Sequence, residues 1–313
     1  MCHLPRLLTV AAACSLAAPL PLAAAENAAP AKTVRLLAVG NSFSANALRY
    51  LPEIVKQAGK GQQLIVDHEA IGGCSLQRHW SNAEAFEKDP NAPASKPTGK
   101  GLRERLQADR WDYVTLQQYS MDSGRPETYR PHAQKLRDYI KRYAPQAEIV
   151  FHETWAYRAD DPGFRADFTQ NDMYRQLRQA YDGIARELGC RLIPVGDAFR
   201  NAERDPAWGN PFPIPGFDPA KAVFPGLPDQ HRSLHAGFGW SDDGKGGHRL
   251  GYDGHHAGTA GEYLAAAVWY EFLFRDSVLG NPFVPPGLSA ADVAILQQVA
   301  HRTVSGGARP PLP

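Results

Sequence analysis

Val34-Arg35-Leu36-Leu37-Ala38-Val39 runs directly into Gly40-Asn41-Ser42-Phe43-Ser44 and then into Ala45-Asn46-Ala47-Leu48. An apolar run that stops at a glycine reads as a buried strand over residues 34–39. The apolar spacing beyond it predicts an amphipathic helix over 45–58, ended by Gly59. A strand that breaks and re-forms as a helix leaves the residues of the break at the carboxyl edge of a sheet. Ser42 lies in that break, where a base can reach its hydroxyl. The plainer role for Asn41, Ser42 and Ser44 is helix capping, because all three side chains suit it.

Working outward, the same alternation continues along the chain. Strands are expected at 63–68, 113–118, 148–152 and 191–195. Helices are expected from Pro131 to about 143, over about 171–188 with Gly189 as the stop, over 261–275, and over 289–303 with Ser289 as the cap. Residues 84–100, with Pro90, Pro93, Pro97 and Gly99, read as a loop. Strands alternating with helices predict an α/β fold: a three-layer α/β/α sandwich around a central five-stranded parallel sheet. In such sheets the ligand sits at the carboxyl ends of the strands. Residues 40–44, 71–80, 117–123 and 153–158 all follow expected strand ends and should converge there.

The chain has 313 residues, with Lys+Arg 34 against Asp+Glu 33 and a net charge of +1. That balance, without a basic stripe, gives no case for a nucleic-acid partner or an anionic membrane surface. Residues 1–25 combine a weakly basic start (His3, Arg6), an apolar stretch over 7–18 and the small residues Ala23-Ala24-Ala25, which reads as a secretory signal. The apolar stretch is too short to span a bilayer. Secreted or periplasmic location follows as an expectation. Lipid anchoring at Cys14 is the alternative, disfavoured by Ala11 standing where a larger aliphatic residue is usual. Residues 26–32 read as a linker, 33–305 as one domain and 306–313 as a tail. Within the domain, 205–252 breaks the rhythm with many prolines and aromatics and reads as an insertion walling or covering the site. Removal of the leader leaves Cys74 and Cys190, expected as free thiols at opposite edges of the sheet. Nothing has zinc-like spacing, and no metal or cofactor is expected.

A second motif, Asp253-Gly254-His255-His256, precedes the helix expected at 261. An aspartate three residues ahead of a histidine can hold the imidazole in the tautomer that takes a serine's proton. His256 is therefore the expected base, with His255 as its rival. His79, His152, His231, His235 and His248 read as structural or surface residues.

With both motifs in hand, the chain resembles the SGNH, or GDSL-like, hydrolase superfamily, and more specifically a little-studied bacterial branch of unknown function. Gly40-Asn41-Ser42 matches the nucleophile block with Asn for the usual Asp, and Asp253-x-x-His256 matches the base block. Leu116-Gln117-Gln118 and Thr154-Trp155-Ala156-Tyr157 carry the likeness to the branch. The resemblance implies a catalytic triad of Ser42, Asp253 and His256. It also implies an oxyanion hole from the backbone N–H groups of Ser42 and of Gly73 in Ile71-Gly72-Gly73-Cys74-Ser75-Leu76, with Gly72 the runner-up. The usual third-block Asn is absent, and Gln118 is the expected substitute donor, with Gln117 and Ser120 as alternatives. Trp80, Trp155 and Tyr157 are expected in the substrate pocket, against the plainer role of packing. The implied function is a secreted serine esterase acting on small-molecule or glycan esters, O-acetyl groups on glycans leading. A lipase or aryl-esterase with a longer acyl pocket, or an inactive carbohydrate-binding member, are the alternatives.

Overall fold

The computed structural model describes Met1 and residues 32–209 and 212–306. The expected signal segment beyond Met1, with Cys14, lies outside the described residues, as do 26–31 of the linker and 307–313 of the tail. The described residues from 32 to 306 form one compact unit. Its opening apolar run is strand β1, Thr33–Gly40. The single helix expected next is two: α1, Ser42–Leu48, and α2, Leu51–Gln57. Pro52 has no N–H to give to the turn behind it, so it starts a new helix and cannot continue the old one.

The other parallel strands are β2 (Gln63–Ala70), β3 (Tyr113–Leu116), β4 (Glu148–His152) and β5 (Arg191–Ile193), in the spatial order β2-β1-β3-β4-β5. Helices expected from the sequence are α5 (His132–Tyr143), α6 (Gln170–Leu188), α8 (Thr259–Phe274) and α9 (Ala290–Ser305, capped by Ser289). Three more were not expected as helices: α3 (Leu76–Lys88), which runs into the loop expected at 84–100, α4 (Leu102–Ala108), and α7 (Val195–Arg204), which begins at the last residue of the strand expected at 191–195. The loop expectation for residues 84–100 followed its prolines, but the first of these, Pro90, comes only after α3 has ended.

Side chains of β1 alternate between two cores, as strand geometry requires. Val34, Leu36 and Ala38 join the core beneath α1, α2, α7, α8 and α9, while Leu37 and Val39 join the one beneath α3, α4, α5 and α6. The result is the three-layer α/β/α sandwich. Helix α8 is buried nearly all round, so its Leu264-Ala265-Ala266-Ala267-Val268 stretch carries no polar face. Cys74 and Cys190 are free. Cys74 follows β2 and Cys190 precedes β5, the two edge strands, so they lie at opposite ends of the parallel sheet.

The Pro- and aromatic-rich insertion ends in an antiparallel hairpin of β6 (His235–Asp242) and β7 (His248–Ala257). Strand β7 runs past residue 252 and carries the second motif on its last residues. Among the described residues, no helix is long and apolar enough to cross a membrane.

Candidate active site

Strand β1 pairs with β2 on one side and β3 on the other. The chain's direction of winding reverses at β1, so the turns after β1, β2 and β3 diverge and open a crevice at the carboxyl edge. Ser42 stands there as the first residue of α1. Asn41 is buried and caps α1, its Oδ1 accepting from the Phe43 N–H at 3.0 Å. Its Nδ2 donates to the Cys74 carbonyl at 3.1 Å, tying the serine turn to the glycine turn after β2. An aspartate could not make that second bond. Gln117, at the end of β3, closes the underside of the same turn. Its Oε1 accepts from Asn41 N (3.3 Å), Ser44 N (3.2 Å) and Ser44 Oγ (2.7 Å), and its Nε2 donates to Asn41 Oδ1 (2.8 Å). A Cβ on Gly40 would lie 2.7 Å from Gln117 Oε1, so only glycine fits before Asn41.

His256 arrives from β7. Its Nδ1 lies 2.8 Å from Asp253 Oδ2, and its Nε2 lies 2.8 Å from Ser42 Oγ. Asp253 Oδ1 also accepts the backbone N–H groups of His255 (3.0 Å) and His256 (2.9 Å). Partial burial pushes the Asp253 carboxyl upward, but these N–H groups and the imidazole outweigh it and hold the carboxyl below its usual range. An ionised Asp253 requires the proton on Nδ1, which leaves Nε2 free to accept from Ser42. The His256 and Asp253 side chains remain 43 % and 41 % exposed, so the base meets the crevice from its open side. The Phe43 ring, with its centroid 5.9 Å from that of His256, backs the imidazole from beneath.

The second and third blocks fare differently. Gly73 has φ +59, a conformation that favours glycine, and sits exposed in the turn held by Asn41. A Cβ there would meet the Tyr119 ring only at 3.8 Å. Gln118 does not deliver a donor to the crevice. Its Oε1 accepts from Leu76 N (3.0 Å) and Tyr119 N (2.9 Å), which fixes the amide's orientation. Its Nε2 donates both hydrogens to Thr128, at 3.0 Å to the carbonyl and 3.1 Å to Oγ1. All the capacity of this buried amide is thus spent on tying the start of α3, next to the Gly73 turn, to Tyr119 and Thr128. Ser120 is also engaged, its Oγ 2.8 Å from the Tyr157 hydroxyl.

Two of the three aromatic pocket expectations are corrected. Trp155 is fully buried, stacked between Phe43 (4.4 Å between centroids) and Phe199 (4.5 Å), with its indole N–H on the His255 carbonyl at 2.9 Å. It props the histidine block from within. Trp80 packs between α3 and α5, edge-on to Tyr139 and beneath the Lys135 ammonium. Tyr157 stacks on His255 at 3.8 Å between centroids. His255 faces Asp161 rather than Ser42, its Nε2 2.9 Å from Asp161 Oδ2. Asn41 takes the capping role expected of it, while Gln117, expected at most as a substitute oxyanion donor, braces the serine turn. Arg158 was missed as a site-building residue.

Beneath the serine turn lies a buried charge chain. His79 Nε2 donates to the Gly40 carbonyl at 2.9 Å, its Nδ1 faces Glu69 at 3.8 Å, and Glu69 faces Arg105 at 3.9 Å. Burial alone would push the His79 imidazole down; Cys74 and Glu69 beside it prevail and raise it to about 9. Among the described residues, no group of three or more His, Cys, Asp or Glu is placed to hold a metal ion.

With this geometry in place, comparison with solved structures gives the fold's relatives. A DUF4886 family protein from Bacteroides uniformis ATCC 8492 is similar at 27 % identity and a TM-score of 0.67, covering 88 % of this chain and 95 % of its own. A protein from Slackia heliotrinireducens proposed to be an SGNH hydrolase is similar at 21 % identity and a TM-score of 0.46, covering 77 % and 98 %. A member of the lipolytic protein G-D-S-L family from Veillonella parvula DSM 2008 follows at 13 % identity and a TM-score of 0.43, covering 78 % and 100 %. No curated protein matches. The family model described as "Domain of unknown function (DUF4886)" matches residues 35–206, and the chain belongs to that family.

Proposed function

We propose that the protein is a serine esterase that hydrolyses carboxylic esters through an acyl-enzyme on Ser42. The observation that carries this reading is the unbroken relay from Ser42 Oγ through His256 to Asp253, with both links at 2.8 Å. In the first half-reaction His256 Nε2 takes the Ser42 proton while Oγ bonds to the ester carbonyl carbon. The resulting oxyanion is met by the backbone N–H groups of Ser42 and Gly73. Collapse breaks the bond to the alcohol oxygen, which leaves with the proton from His256. Water, deprotonated by the same nitrogen, then attacks the acyl carbon and releases acid and free Ser42.

The O-acetyl group of a glycan is one candidate substrate. Burial of Trp155 and packing of Trp80 remove the two tryptophans expected to stack a sugar ring, which weighs against that reading and against a binding-only protein. An apolar cavity whose Tyr157 wall stacks on His255, next to His256, favours the second reading, an ester with a larger apolar group. We place the reaction outside the cytoplasm on the pattern of residues 1–25; an exported chain beginning at or near Glu26, read by intact mass, is the check. A fluorophosphonate probe tests the core of the reading. It should label wild type at Ser42 and leave Ser42→Ala untouched, whereas a folded wild type that neither labels nor cleaves p-nitrophenyl acetate overturns it.

A further inference from the structure

A cavity of about 290 Å³ opens between the turn after β3, the segment after β4 and the first turns of α6. Its lining is mostly carbon and sulfur. Met173 forms the floor and is buried, with its Sδ against the Tyr157 N–H at 3.5 Å. Phe164 and Phe168 face each other on one wall, with centroids 6.0 Å apart. Met121 stands at the mouth, 66 % exposed, a large flexible apolar side chain left in water.

The cavity is separated from the triad by a single residue, His255. The Tyr157 ring that lines it is stacked on His255, the neighbour of the base His256. Its other border, Ser120, lies just past Gln117 and Gln118, which brace the serine turn and the start of α3. In the order β2-β1-β3-β4-β5, Gly73 follows β2 while the cavity follows β3 and β4. The cavity therefore lies across Ser42 from the Gly73 turn. A carbonyl oxygen directed toward Gly73 leaves a substituent of the same ester directed toward the cavity.

We infer that this cavity is a specificity pocket for a compact apolar group of the ester, an aromatic ring or a short branched chain. The inference rests on Ser42 being an ester-cleaving nucleophile. Its volume equals roughly ten waters in the liquid, enough for one ring and far short of a long lipid chain. Most of the lining surface, at Met121, Met173, Phe164 and Phe168, offers a sugar's hydroxyls no partner, with Arg125, Asp161 and Gln176 among the polar exceptions. Either the acyl or the alcohol half of the ester can supply the group.

Two substrate arms separate these sources. One varies the acyl group on p-nitrophenol, from acetate through butyrate and benzoate to decanoate; the other varies the alcohol on acetate, from ethyl to phenyl. Values of kcat/KM are normalised to alkaline hydrolysis. The pocket predicts a preference of about 10- to 100-fold for the compact apolar group in at least one arm, falling again at decanoate in the acyl arm. Met121→Trp, at the exposed mouth, should cut that preference about ten-fold or more, and Phe168→Ala should move the optimum toward larger groups. A wild type that cleaves p-nitrophenyl acetate but shows no preference in either arm, or one that neither variant alters, overturns the pocket and leaves the esterase reading intact. Loss of all cleavage and of Ser42 labelling in wild type overturns both.

Discussion

In the proposed mechanism Ser42, His256 and Asp253 act as a unit, because the proton that leaves Oγ must be received by a nitrogen whose partner is already ionised. Ser42→Ala and His256→Ala should each lower ester hydrolysis by about 10³-fold or more, with Asp253→Ala costing less because its part is orientation. Steady-state rates beside far-UV circular dichroism check this, and an inactive His255→Ala with an active His256→Ala would refute the assignment. Gln118 offers a different kind of test. Its amide satisfies two backbone N–H groups and both acceptor atoms of Thr128. Gln118→Ala strands these buried groups and should cost roughly 2 kcal/mol or more in urea unfolding. An oxyanion donor would behave otherwise, with unchanged stability and a 10²-fold or greater loss of kcat. Gln118→Glu keeps the two acceptor bonds and should recover part of the lost stability.

At the scale of elements, the base depends on how the β6–β7 hairpin is held. Arg158 does most of the holding and is only 1 % exposed. Its guanidinium pairs with Asp160, donates to Gln230 Oε1 at 2.8 Å, and lies against the Phe212, Phe238 and Tyr252 rings, 4.3 to 5.2 Å from their centroids. Its backbone N–H donates to the Gly254 carbonyl at 2.8 Å, inside the histidine block itself. The insertion is therefore a mount for Asp253 and His256, and Arg158 is its positioning residue. A lysine cannot reproduce the planar fork. Arg158→Lys should lower kcat by roughly 10- to 100-fold through small displacements of His256. Limited proteolysis should open within 205–252 while the parallel sheet stays folded. Full activity in a folded Arg158→Lys would show that the hairpin holds itself.

Across the whole molecule, the His79–Glu69–Arg105 chain links the serine turn to the edge strand β2. His79 is raised from 6.5 to about 9, so the folded protein holds a proton there that the unfolded chain releases. For a raised imidazole the contribution is complete below the unfolded value and is lost as pH rises through the folded one. Stability should therefore fall between pH 6.5 and 9, by roughly 1–3 kcal/mol. His79→Gln, which keeps a donor for Gly40 but no charge, should flatten that slope; urea midpoints at pH 6, 8 and 10 measure it.

What the sequence determined by itself is whatever depends on near neighbours. A strand that stops at Gly40 and restarts as a helix puts Ser42 at a sheet edge, and a three-residue offset from Asp253 to His256 suffices for their pairing. Strand–helix alternation decided the parallel sheet in the same way, through periodicity. Helices α3 and α7 escaped although most of their buried positions are apolar, because α3 runs on into a proline-rich stretch and α7 starts on the last residue of the strand expected at 191–195. Gln118, Trp155, Trp80 and Arg158 carried residue types suited to several roles. Which role each took was decided by partners up to about a hundred positions away, such as the His255 carbonyl for Trp155 and Gln230 for Arg158. A side chain's hydrogen-bonding capacity is written in its type; where that capacity is spent is set only when the turns around it pack.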